Sequence, residues 1–473
     1  MASLTLRDYQ VDGVRRIREA FQSGLRRVLY VLPTGGGKSI VFAHIAAGAS
    51  VRGKRITLLA HRSEILHQIG AALSQFDVGH AILEGGVRGM PRSAVLVASV
   101  QTLARRLAHF KPPDLLVVDE CHHAVHKTQW GAIMRHCGNA SLVLGVTATP
   151  CRLSGEGLGE LFQAMIVGPT VRELTEQGYL CPAEIYAPPE EVDLSGVHTA
   201  SGDFVTEEIE RLFSRAQITG NAVDHYRRLA DGKSAIAFCC SLKHAAEVTA
   251  QFQAAGYRTA MIEGQTERGA RRQMVADLTE GRLQVLVSVS VISEGFDAPR
   301  VECGIVLRPT QSLGLHLQMI GRCLRPFPGK RAAVILDHAG NVRRHGMPTQ
   351  DREWSLEGTT RAARKQAALP ALRTCPQCLA IHEPAPICPR CGHVYVAEGR
   401  QPDQLEGELQ RVTDSLEWAG EISIPTASGT EFRELLRRAD TAEKLHQIRR
   451  LRRYHYLWVA RVLESRKQKE RAA

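Results

Sequence analysis

The chain has 473 residues, of which 44% are hydrophobic and 23% are charged, and its formal net charge is +11. This length predicts about three domains, and the positive charge favours a polyanionic partner such as nucleic acid, although solubility alone would also account for it. The start of the chain lacks a secretory signal pattern and no apolar stretch approaches the roughly 20 residues of a membrane helix, so we expect a cytoplasmic protein with no membrane partner.

Two segments of the chain alternate short apolar runs with helical patterns. The first contains "RVLYVL", "RITLLA" and "DLLVVDE", and the second contains "SAIAFCC", "QVLVSVS" and "AAVILDH". Strands rich in Val, Leu and Ile that alternate with helices are typical of a parallel sheet covered on both faces. We therefore predict two α/β domains, over residues 1–179 and 215–345, joined by a turn-rich connector at 180–214.

The stretch "LPTGGGKS" at 32–39 lies between an apolar run and a helical pattern. Glycines there would let backbone N–H groups surround phosphate oxygens. Lys38 would neutralise the β- and γ-phosphates of a nucleotide, and Ser39 would bind Mg²⁺. The general phosphate-loop pattern has a glycine where this chain has Leu32, and a plain strand–helix turn is the alternative. The residues expected to contact the nucleotide are Thr34, Gly35, Gly36, Gly37, Lys38 and Ser39.

A second part of a nucleotide site is predicted where "DLLVVDECHH" ends its apolar run in two acids. Asp119 would hold Mg²⁺ together with Ser39, and Glu120 would polarise the attacking water. Capping of the next helix is the alternative role for such acids. The loop and the acids together indicate hydrolysis of a nucleoside triphosphate.

Several further motifs occur in order along the chain. They are "LRDYQ" at 6–10, "AHRSEILHQ" at 60–68, "VASVQTL" at 97–103, "DECH" at 119–122, "TATP" at 147–150, "AIAFCCSLKHA" at 235–245, "VSVSVISEGFDAP" at 287–299 and "HLQMIGRCLRP" at 316–326. With the phosphate loop, they resemble the motifs of superfamily 2 helicases of the DExH branch. The resemblance covers about residues 4–345 and implies two tandem RecA-like domains with ATP bound between them.

The resemblance implies roles for individual residues around the ATP. Arg7 and Gln10 would contact the nucleotide from the first motif, with Gln10 reading the adenine edge. Gln318, Arg322 and Arg325 would act from the second domain, where arginines stabilise the charge on the transferring phosphoryl group. Gly295 and Asp297 would contact the nucleotide, while His122, Thr147 and Thr149 would relay its state. Contacts to nucleic acid are implied for Arg62, Gln101, Thr102, Thr266 and Glu294.

The stretch 287–341 looks most like the RadD-type bacterial helicase-like ATPases of DNA repair. This resemblance implies an ATP-dependent helicase or translocase acting on DNA with single-stranded or branched character. A DNA-binding or annealing scaffold with little motor activity and an RNA-directed helicase are the alternatives. The oligomeric state is left open, and a monomer is compatible with the sequence.

Four cysteines occupy the spacing C-x₂-C-x₉-C-x₂-C in "CPQCLAIHEPAPICPRC". Two C-x₂-C pairs can present four thiolates to one ion, so we predict a Cys₄ zinc ribbon at 372–395 after a polar linker at 346–371. Iron would also accept four thiolates. The sequence leaves open whether this ribbon has a purely structural role or contacts DNA. The predicted zinc ligands are Cys375, Cys378, Cys388 and Cys391.

The last segment, 405–473, is predicted to be a basic helical tail. Residues 430–473 hold 13 Lys/Arg and 6 Asp/Glu, and Leu445, Ile448, Leu451 and Val459 are spaced to share one helix face. Tyr454 and other aromatic residues adjoin the run "RRLRR", a combination that suits phosphates and unstacked bases. Packing aromatics and solvated arginines are the alternative interpretation.

Overall fold

A computed structural model of the chain describes residues 5–125, 128–152, 155–188, 194, 196–200, 203–213, 222–289, 298, 300–358, 372–395, 419, 422, 424, 426–452, 454 and 458–472. The chain forms two compact units, Met1–Val396 and Ala397–Ala473. Among the described residues, no helix is both long enough and apolar enough to cross a membrane.

The first unit begins with a parallel α/β domain. Its strands are β1 (Arg27–Val31), β2 (Ile56–Ala60), β3 (Ala81–Leu83), β4 (Val95–Ser99), β5 (Leu115–Asp119), β6 (Leu142–Thr147) and β7 (Ala164–Val167). Its helices are α1 (Asp8–Gln22), α2 (Lys38–Ser50), α3 (Ser63–Ser74), α4 (Val100–Ala104), α5 (Gln129–Cys137) and α6 (Val171–Glu176). The strands pair in the order β3-β4-β2-β5-β6-β1-β7, and every pairing is parallel.

The apolar runs of this domain form strands because both faces of the sheet are covered. Successive side chains of a strand point to opposite faces, so Leu58 of β2 belongs to the apolar cluster that contains Phe42 of α2, while its neighbour Leu59 belongs to the cluster that contains Trp130 of α5. Strands β5, β6 and β1 are adjacent and parallel. Their carboxyl ends therefore bring the loop at 32–37, the acids Asp119 and Glu120 at the end of β5, and Thr147 at the end of β6 to one edge of the sheet, where open α/β sheets bind ligands.

A second, mainly parallel sheet follows in the same unit. Its strands are β8 (Ala183–Tyr186), β11 (Ala235–Cys239), β12 (Thr259–Ile262), β13 (Val285–Val289), β14 (Cys303–Val306), β15 (Ala333–Asp337), β16 (Arg373–Thr374) and β17 (Ile381–His382). Two short strands, β9 (Thr199–Ala200) and β10 (Asp203–Phe204), lie between β8 and β11 in the sequence. Its helices are α7 (Thr206–Phe213), α8 (Ala222–Ala230), α9 (Leu242–Ala254), α10 (Arg268–Glu280), α11 (Leu313–Cys323) and α12 (Asn341–His345). The order is β12-β13-β11-β14-β15-β8-β17-β16, with β9 and β10 forming a separate hairpin. The predicted fold class of two tandem RecA-like domains is confirmed.

The cysteine-rich segment adds to the edge of this second sheet. Strand β8 lies in the stretch that the sequence predicts as a connector, and it pairs in parallel with β15. Strand β17 pairs with β8 in the antiparallel sense, and Arg390 forms an ion pair of 2.9 Å with Glu184 of β8. The ribbon is therefore attached to the second domain through backbone and side-chain contacts.

Residues 354–358 return from the second domain to the first. Trp354 and Leu356 pack against the apolar cluster that covers the β2 face carrying Leu59. The Gly159 N–H donates a hydrogen bond to the Leu356 carbonyl at 2.8 Å, and Gly358 forms an isolated β-bridge with Glu156. The chain thus makes a further non-covalent connection between the two RecA-like domains, within the stretch predicted as a linker.

The second unit contains three helices among its described residues, α13 (Gly429–Arg438), α14 (Ala442–Leu451) and α15 (Trp458–Ala472). Leu435, Leu445, Ile448 and Val459 are buried in its core, and Tyr454 and Trp458 pack against that core. The prediction for Leu451 is wrong, because its side chain is 47% exposed near the end of α14.

Arginines of this second unit make internal contacts. Arg452 lies over the Phe432 ring at 4.4 Å and donates a hydrogen bond to the Ala427 carbonyl at 2.6 Å. Arg466 donates to the Ala439 carbonyl at 2.9 Å. Part of the positive charge of the tail therefore stabilises the small helical unit itself.

Candidate active site between the two RecA-like domains

The phosphate loop turns sharply between β1 and α2. Gly35 and Gly37 have φ values of 87° and 83°, in the left-handed region that residues with a Cβ atom rarely adopt. A Cβ atom on Gly37 would also lie 2.5 Å from Nε2 of Gln10. Helix α2 begins at Lys38, immediately after this turn, so its N-terminal N–H groups and those of the loop face the same region.

Arg7 and Gln10 lie against this loop, at the start of α1. The Gln10 side chain accepts a hydrogen bond from the Arg7 backbone N–H at 3.0 Å and donates to the Gly36 carbonyl at 3.4 Å. The Tyr9 hydroxyl donates to the same carbonyl at 2.8 Å, and the Arg7 guanidinium lies over the Tyr179 ring at 4.5 Å. The motifs did not predict these contacts of Tyr9 and Tyr179, although Tyr9 belongs to the motif "LRDYQ" at 6–10.

A cavity of about 430 Å³ opens in front of the loop, within the size range of small-molecule sites. Both RecA-like domains contribute to its walls. The residues that were predicted from the sequence and line it are Arg7, Thr34, Gly35, Gly37, Lys38, Ser39, Asp119, Glu120, Arg322 and Arg325. Gln318 is buried on α11 and is not among the lining residues, so its predicted role stays a prediction.

The charged groups of the cavity perturb one another. Burial lowers the pKa of Lys38, while the carboxylates of Glu120 and Asp119 oppose that shift. Burial also lowers the pKa of Arg325 to about 10, which leaves its guanidinium charged at neutral pH. The cavity therefore combines a lysine and two acids of the first domain with two arginines of the second domain.

The backbone at Glu120 is strained. Its φ of 47° is left-handed, a conformation that costs an L-residue about 1–2 kcal/mol. Such outliers cluster at functional sites, where the surrounding structure holds them in place. The turn lets Asp119 and Glu120, although adjacent in sequence, both line the same cavity.

The three predicted relay residues are connected to Glu120. His122 Nδ1 lies 3.3 Å from the Glu120 carboxylate and 2.9 Å from the Thr147 hydroxyl. That hydroxyl donates to the Thr149 carbonyl at 2.9 Å. A Cβ atom on Gly314, at the start of α11, would lie only 2.9 Å from the Thr149 hydroxyl oxygen. A continuous set of contacts thus extends from the acid to the second domain.

The comparisons with known proteins agree with this geometry. Residues 3–152 match the family described as "Type III restriction enzyme, res subunit", and residues 219–326 match the "Helicase conserved C-terminal domain". A 51.5 kDa protein of a Lactococcus phage is 31% identical over 384 residues, which cover 80% of this chain and 81% of the relative. The chain belongs to the superfamily 2 helicases.

One further relative and one solved structure are similar to this helicase. IRC3 of Saccharomyces cerevisiae, whose name assigns it to the ATP-dependent helicases, is 28% identical over 355 residues. The match covers 71% of the present helicase and 51% of IRC3, so the chain spans about half the length of this relative. A fragment of a type I restriction enzyme HsdR subunit from Vibrio vulnificus has the same fold, with a TM-score of 0.58, 21% identity, and coverage of 72% of this chain and 66% of that one. The helicase is a nucleic-acid-dependent ATPase.

Two of the predicted nucleic-acid contacts lie around His61, outside the ATP cavity. The Arg62 Nε is 3.3 Å from the His61 ring nitrogen Nε2, and the Gln101 amide donates to the His61 carbonyl at 3.2 Å. Thr102 follows Gln101 on α4. Their contact with nucleic acid stays a prediction.

The other predicted contacts belong to the second domain. The Thr266 hydroxyl accepts a hydrogen bond from the Glu263 N–H at 3.0 Å, and its carbonyl accepts one from Arg271 at 2.8 Å. Arg271 also forms an ion pair of 2.7 Å with Glu64 of the first domain. The loop of Thr266 is therefore tied to the first domain beside the predicted contact Arg62. The predicted site residues Glu294, Gly295 and Asp297 lie outside the described residues.

The four cysteine sulfurs of the ribbon all lie within 4.8 Å of one another. Cys375 and Cys391 have sulfurs 3.7 Å apart, and those of Cys378 and Cys388 are 3.8 Å apart. Four thiolates placed tetrahedrally around Zn²⁺ at about 2.3 Å would be about 3.8 Å apart, so the donor set fits zinc. The nearby His382 lies outside this group of four donors, and its ring nitrogen Nε2 contacts the Tyr395 hydroxyl at 2.7 Å.

Proposed function

We propose that the protein is an ATP-driven helicase or translocase that acts on DNA of single-stranded or branched character. One observation carries the proposal: groups from both RecA-like domains line one cavity. Lys38, Asp119 and Glu120 belong to the first domain, and Arg322 and Arg325 belong to the second. A site assembled from two domains couples hydrolysis to their relative motion, because the arginines stabilise the transition state only while the domains are closed.

The residues divide the chemistry of hydrolysis among them. The loop N–H groups and Lys38 would bind the β- and γ-phosphates, and Glu120 would orient the attacking water and accept its proton. Arg322 and Arg325 would stabilise the charge that develops on the transferring phosphoryl group. Mg²⁺, held by Ser39 and Asp119, would supply further charge neutralisation at these phosphates.

The remaining nucleotide contacts are proposed for the base and ribose. Arg7 and Gln10 would bind the adenine side of ATP at the start of α1. Gln10 contacts the Gly36 carbonyl of the phosphate loop, and the Arg7 guanidinium lies over the Tyr179 ring. Gln318, Gly295 and Asp297 would contribute from the second domain.

Coupling to nucleic acid is proposed to use the contacts that extend from Glu120. His122, Thr147 and Thr149 link that acid to Gly314 at the start of α11. Loss of the γ-phosphate would change the packing at this point, and the domains would move relative to the bound strand. The residues proposed to hold the strand are Arg62, Gln101, Thr102, Thr266 and Glu294.

DNA is proposed rather than RNA for two reasons. The first domain matches a restriction-enzyme family over 150 residues, 3–152, and the resemblance of 287–341 to RadD-type ATPases suggests a cytoplasmic role in DNA repair or recombination. The net charge of +11 supports a polyanionic partner of either kind. RNA therefore remains an outcome of the test.

The ribbon is proposed to bind one zinc ion through its four cysteines. The short strands β16 and β17 bury few apolar side chains, so metal binding would supply much of their folding energy. Because β17 extends the second sheet through β8, zinc would also stabilise the edge of the second RecA-like domain.

The experiment measures ATP turnover with single-stranded DNA, duplex DNA, forked DNA and RNA, followed by strand separation and triplex displacement on the best activator. We expect DNA to stimulate turnover more than RNA, and Lys38→Ala to abolish it. Lys54→Ala, a matched control on an exposed surface of the same domain, should behave like the native protein. Stronger stimulation by RNA would reject the DNA assignment, and an absence of turnover with every nucleic acid would favour the scaffold alternative.

A further inference from the structure

The turn that carries Arg325 is held from outside by a lysine that does not line the ATP cavity. Helix α11 ends at Cys323, and the last carbonyls of a helix have no partner within it. Lys330 donates hydrogen bonds to the carbonyls of Cys323 at 2.5 Å and Arg325 at 2.8 Å. The carbonyl between them, of Leu324, accepts from the Cys181 N–H at 2.7 Å.

A third hydrogen bond of Lys330 fixes the position of the ammonium itself. It donates to the Val301 carbonyl, just before β14, at 2.6 Å. An ammonium has three donors, and here three carbonyls from two parts of the domain converge on it. Burial lowers the pKa of Lys330, yet these carbonyl dipoles and the C-terminus of α11 favour a cation at this point.

The position of the turn decides where the two arginine side chains begin. Arg322 immediately precedes Cys323, and Arg325 carries the second carbonyl that Lys330 binds. Fixing the peptide planes at 323 and 325 therefore fixes the backbone from which both guanidinium groups reach the cavity. The loop is compact, since the Lys330 N–H also donates to the Phe327 carbonyl at 2.9 Å and Gly329 adopts a φ of 84°.

We propose that Lys330 is a positioning residue that holds Arg322 and Arg325 in their phosphate-facing arrangement. This inference rests on the proposed function, in which the two arginines act on the transferring phosphoryl group. Lys330 acts through these arginines and makes no contact with the nucleotide.

Removal of the ammonium should lower kcat and leave ATP binding nearly unchanged. Lys330→Met keeps most of the side-chain length but removes the ammonium donor from three carbonyls, of which that of Arg325 keeps only a 3.7 Å hydrogen bond from the Cys181 thiol. A displacement of about 1 Å at a reacting centre can reduce the rate about 100-fold, so we expect a 10- to 100-fold loss in kcat. The KM for ATP should change little, because the arginines stabilise the transition state more than the ground state.

A double-mutant cycle distinguishes positioning from a general structural role. Lys330→Met is made in the native full-length chain and in a chain carrying Arg322→Ala and Arg325→Ala, and ATP turnover is measured at saturating DNA. We expect a loss of at least tenfold in the native background and less than about twofold in the arginine-free background, because residues that act as a unit are not additive. Equal losses in both backgrounds, or no loss in the native one, would overturn the inference.

Two further variants complete the test. Lys233→Met removes another half-exposed lysine of the same domain, which binds Glu302 at 3.4 Å, and should leave turnover unchanged in both backgrounds. Lys330→Gln keeps two donors and should lose less activity than Lys330→Met, while thermal unfolding reports whether each variant is folded. An arginine-free chain as active as the native protein would reject the proposed function itself. If the arginine-free chain turns over ATP more slowly than the native protein but Lys330→Met in the native background does not, only the role of Lys330 would be rejected.

Discussion

The close approach of the two RecA-like domains at the phosphate loop depends on a glycine, and its replacement should impair hydrolysis. A Cβ atom on Gly321 would lie 2.6 Å from Cβ and 3.0 Å from Cγ2 of Thr34. Ordinary contacts of this kind are 3.4–4 Å, so Gly321→Ala forces α11 and the loop apart by about 1 Å. The Thr34 Cβ is attached to the backbone, and a side-chain rotation therefore cannot relieve the clash.

This displacement would move Arg322 and Arg325 away from the phosphate site while leaving the first-domain residues in place. We expect kcat to fall about 10- to 100-fold, with a much smaller change in the affinity for ATP. Steady-state turnover and titration with a fluorescent ATP analogue measure the two quantities in the same preparation. Gly79→Ala is the matched control, because a Cβ atom at Gly79 would have no other atom within 4 Å.

A kcat of Gly321→Ala within about twofold of the native value would refute the reasoning. In that case the observed contact between α11 and the loop would not be needed for hydrolysis. Thermal unfolding of Gly321→Ala should remain cooperative and close to that of Gly79→Ala, which separates a displaced site from a misfolded domain.

Three other predictions concern metal, pH and packing. Cys388→Ser should abolish binding of one zinc per chain by elemental analysis and lower the melting temperature, whereas a native protein that contains no zinc would contradict the ribbon assignment. Burial lowers the pKa of His345 to about 4, below its ordinary value near 6.5. Its stabilising contribution is therefore present above about pH 6.5 and is lost, by up to about 3 kcal/mol, as the pH falls towards 4. His345→Gln should flatten the fall of the melting temperature over this range, and an unchanged pH profile would exclude this group. Leu435→Ala should lower the free energy of unfolding of the C-terminal unit by about 2–5 kcal/mol in urea. The control Leu451→Ala, at a residue that is 47% exposed, should lower it by less than about 0.5 kcal/mol. Equal losses in the two variants would contradict the described core.

Short sequence motifs identify several residues that the structure brings together around one cavity. The strand–loop–helix order around Lys38 and the two acids at the end of β5 follow from short motifs, and neighbouring parallel strands bring them to one sheet edge. The spacing of the four cysteines likewise predicted a cluster, which the sulfur distances are consistent with. In each case the residues that come together are recognisable from a few consecutive positions of the sequence.

Contacts between distant parts of the chain could not be predicted in this way. The side-chain pattern of Ala183–Tyr186 does not specify that this strand joins the second sheet beside β15. Nothing local indicates that Leu356 accepts a hydrogen bond from Gly159 of the other domain. No local pattern marks Lys330, because its three carbonyl partners come together only after folding.

Leu451, the last residue of α14, shows a different limit of sequence-based prediction. Helical spacing placed it with Leu445 and Ile448, but α14 ends at this residue, and Leu451 is 47% exposed. A periodic pattern identifies a face only as far as the helix continues, and helix ends are the least certain part of such a prediction.

The most direct test of the central claim, an ATP site completed by the second domain, is the turnover of Arg322→Ala at saturating ATP and DNA. Arginines supplied to a phosphoryl-transfer site contribute about 10³–10⁵ in kcat, so we expect a loss of at least about 10³ with ATP still bound by the first domain. A turnover within about tenfold of the native value, with ATP affinity unchanged, would contradict the account.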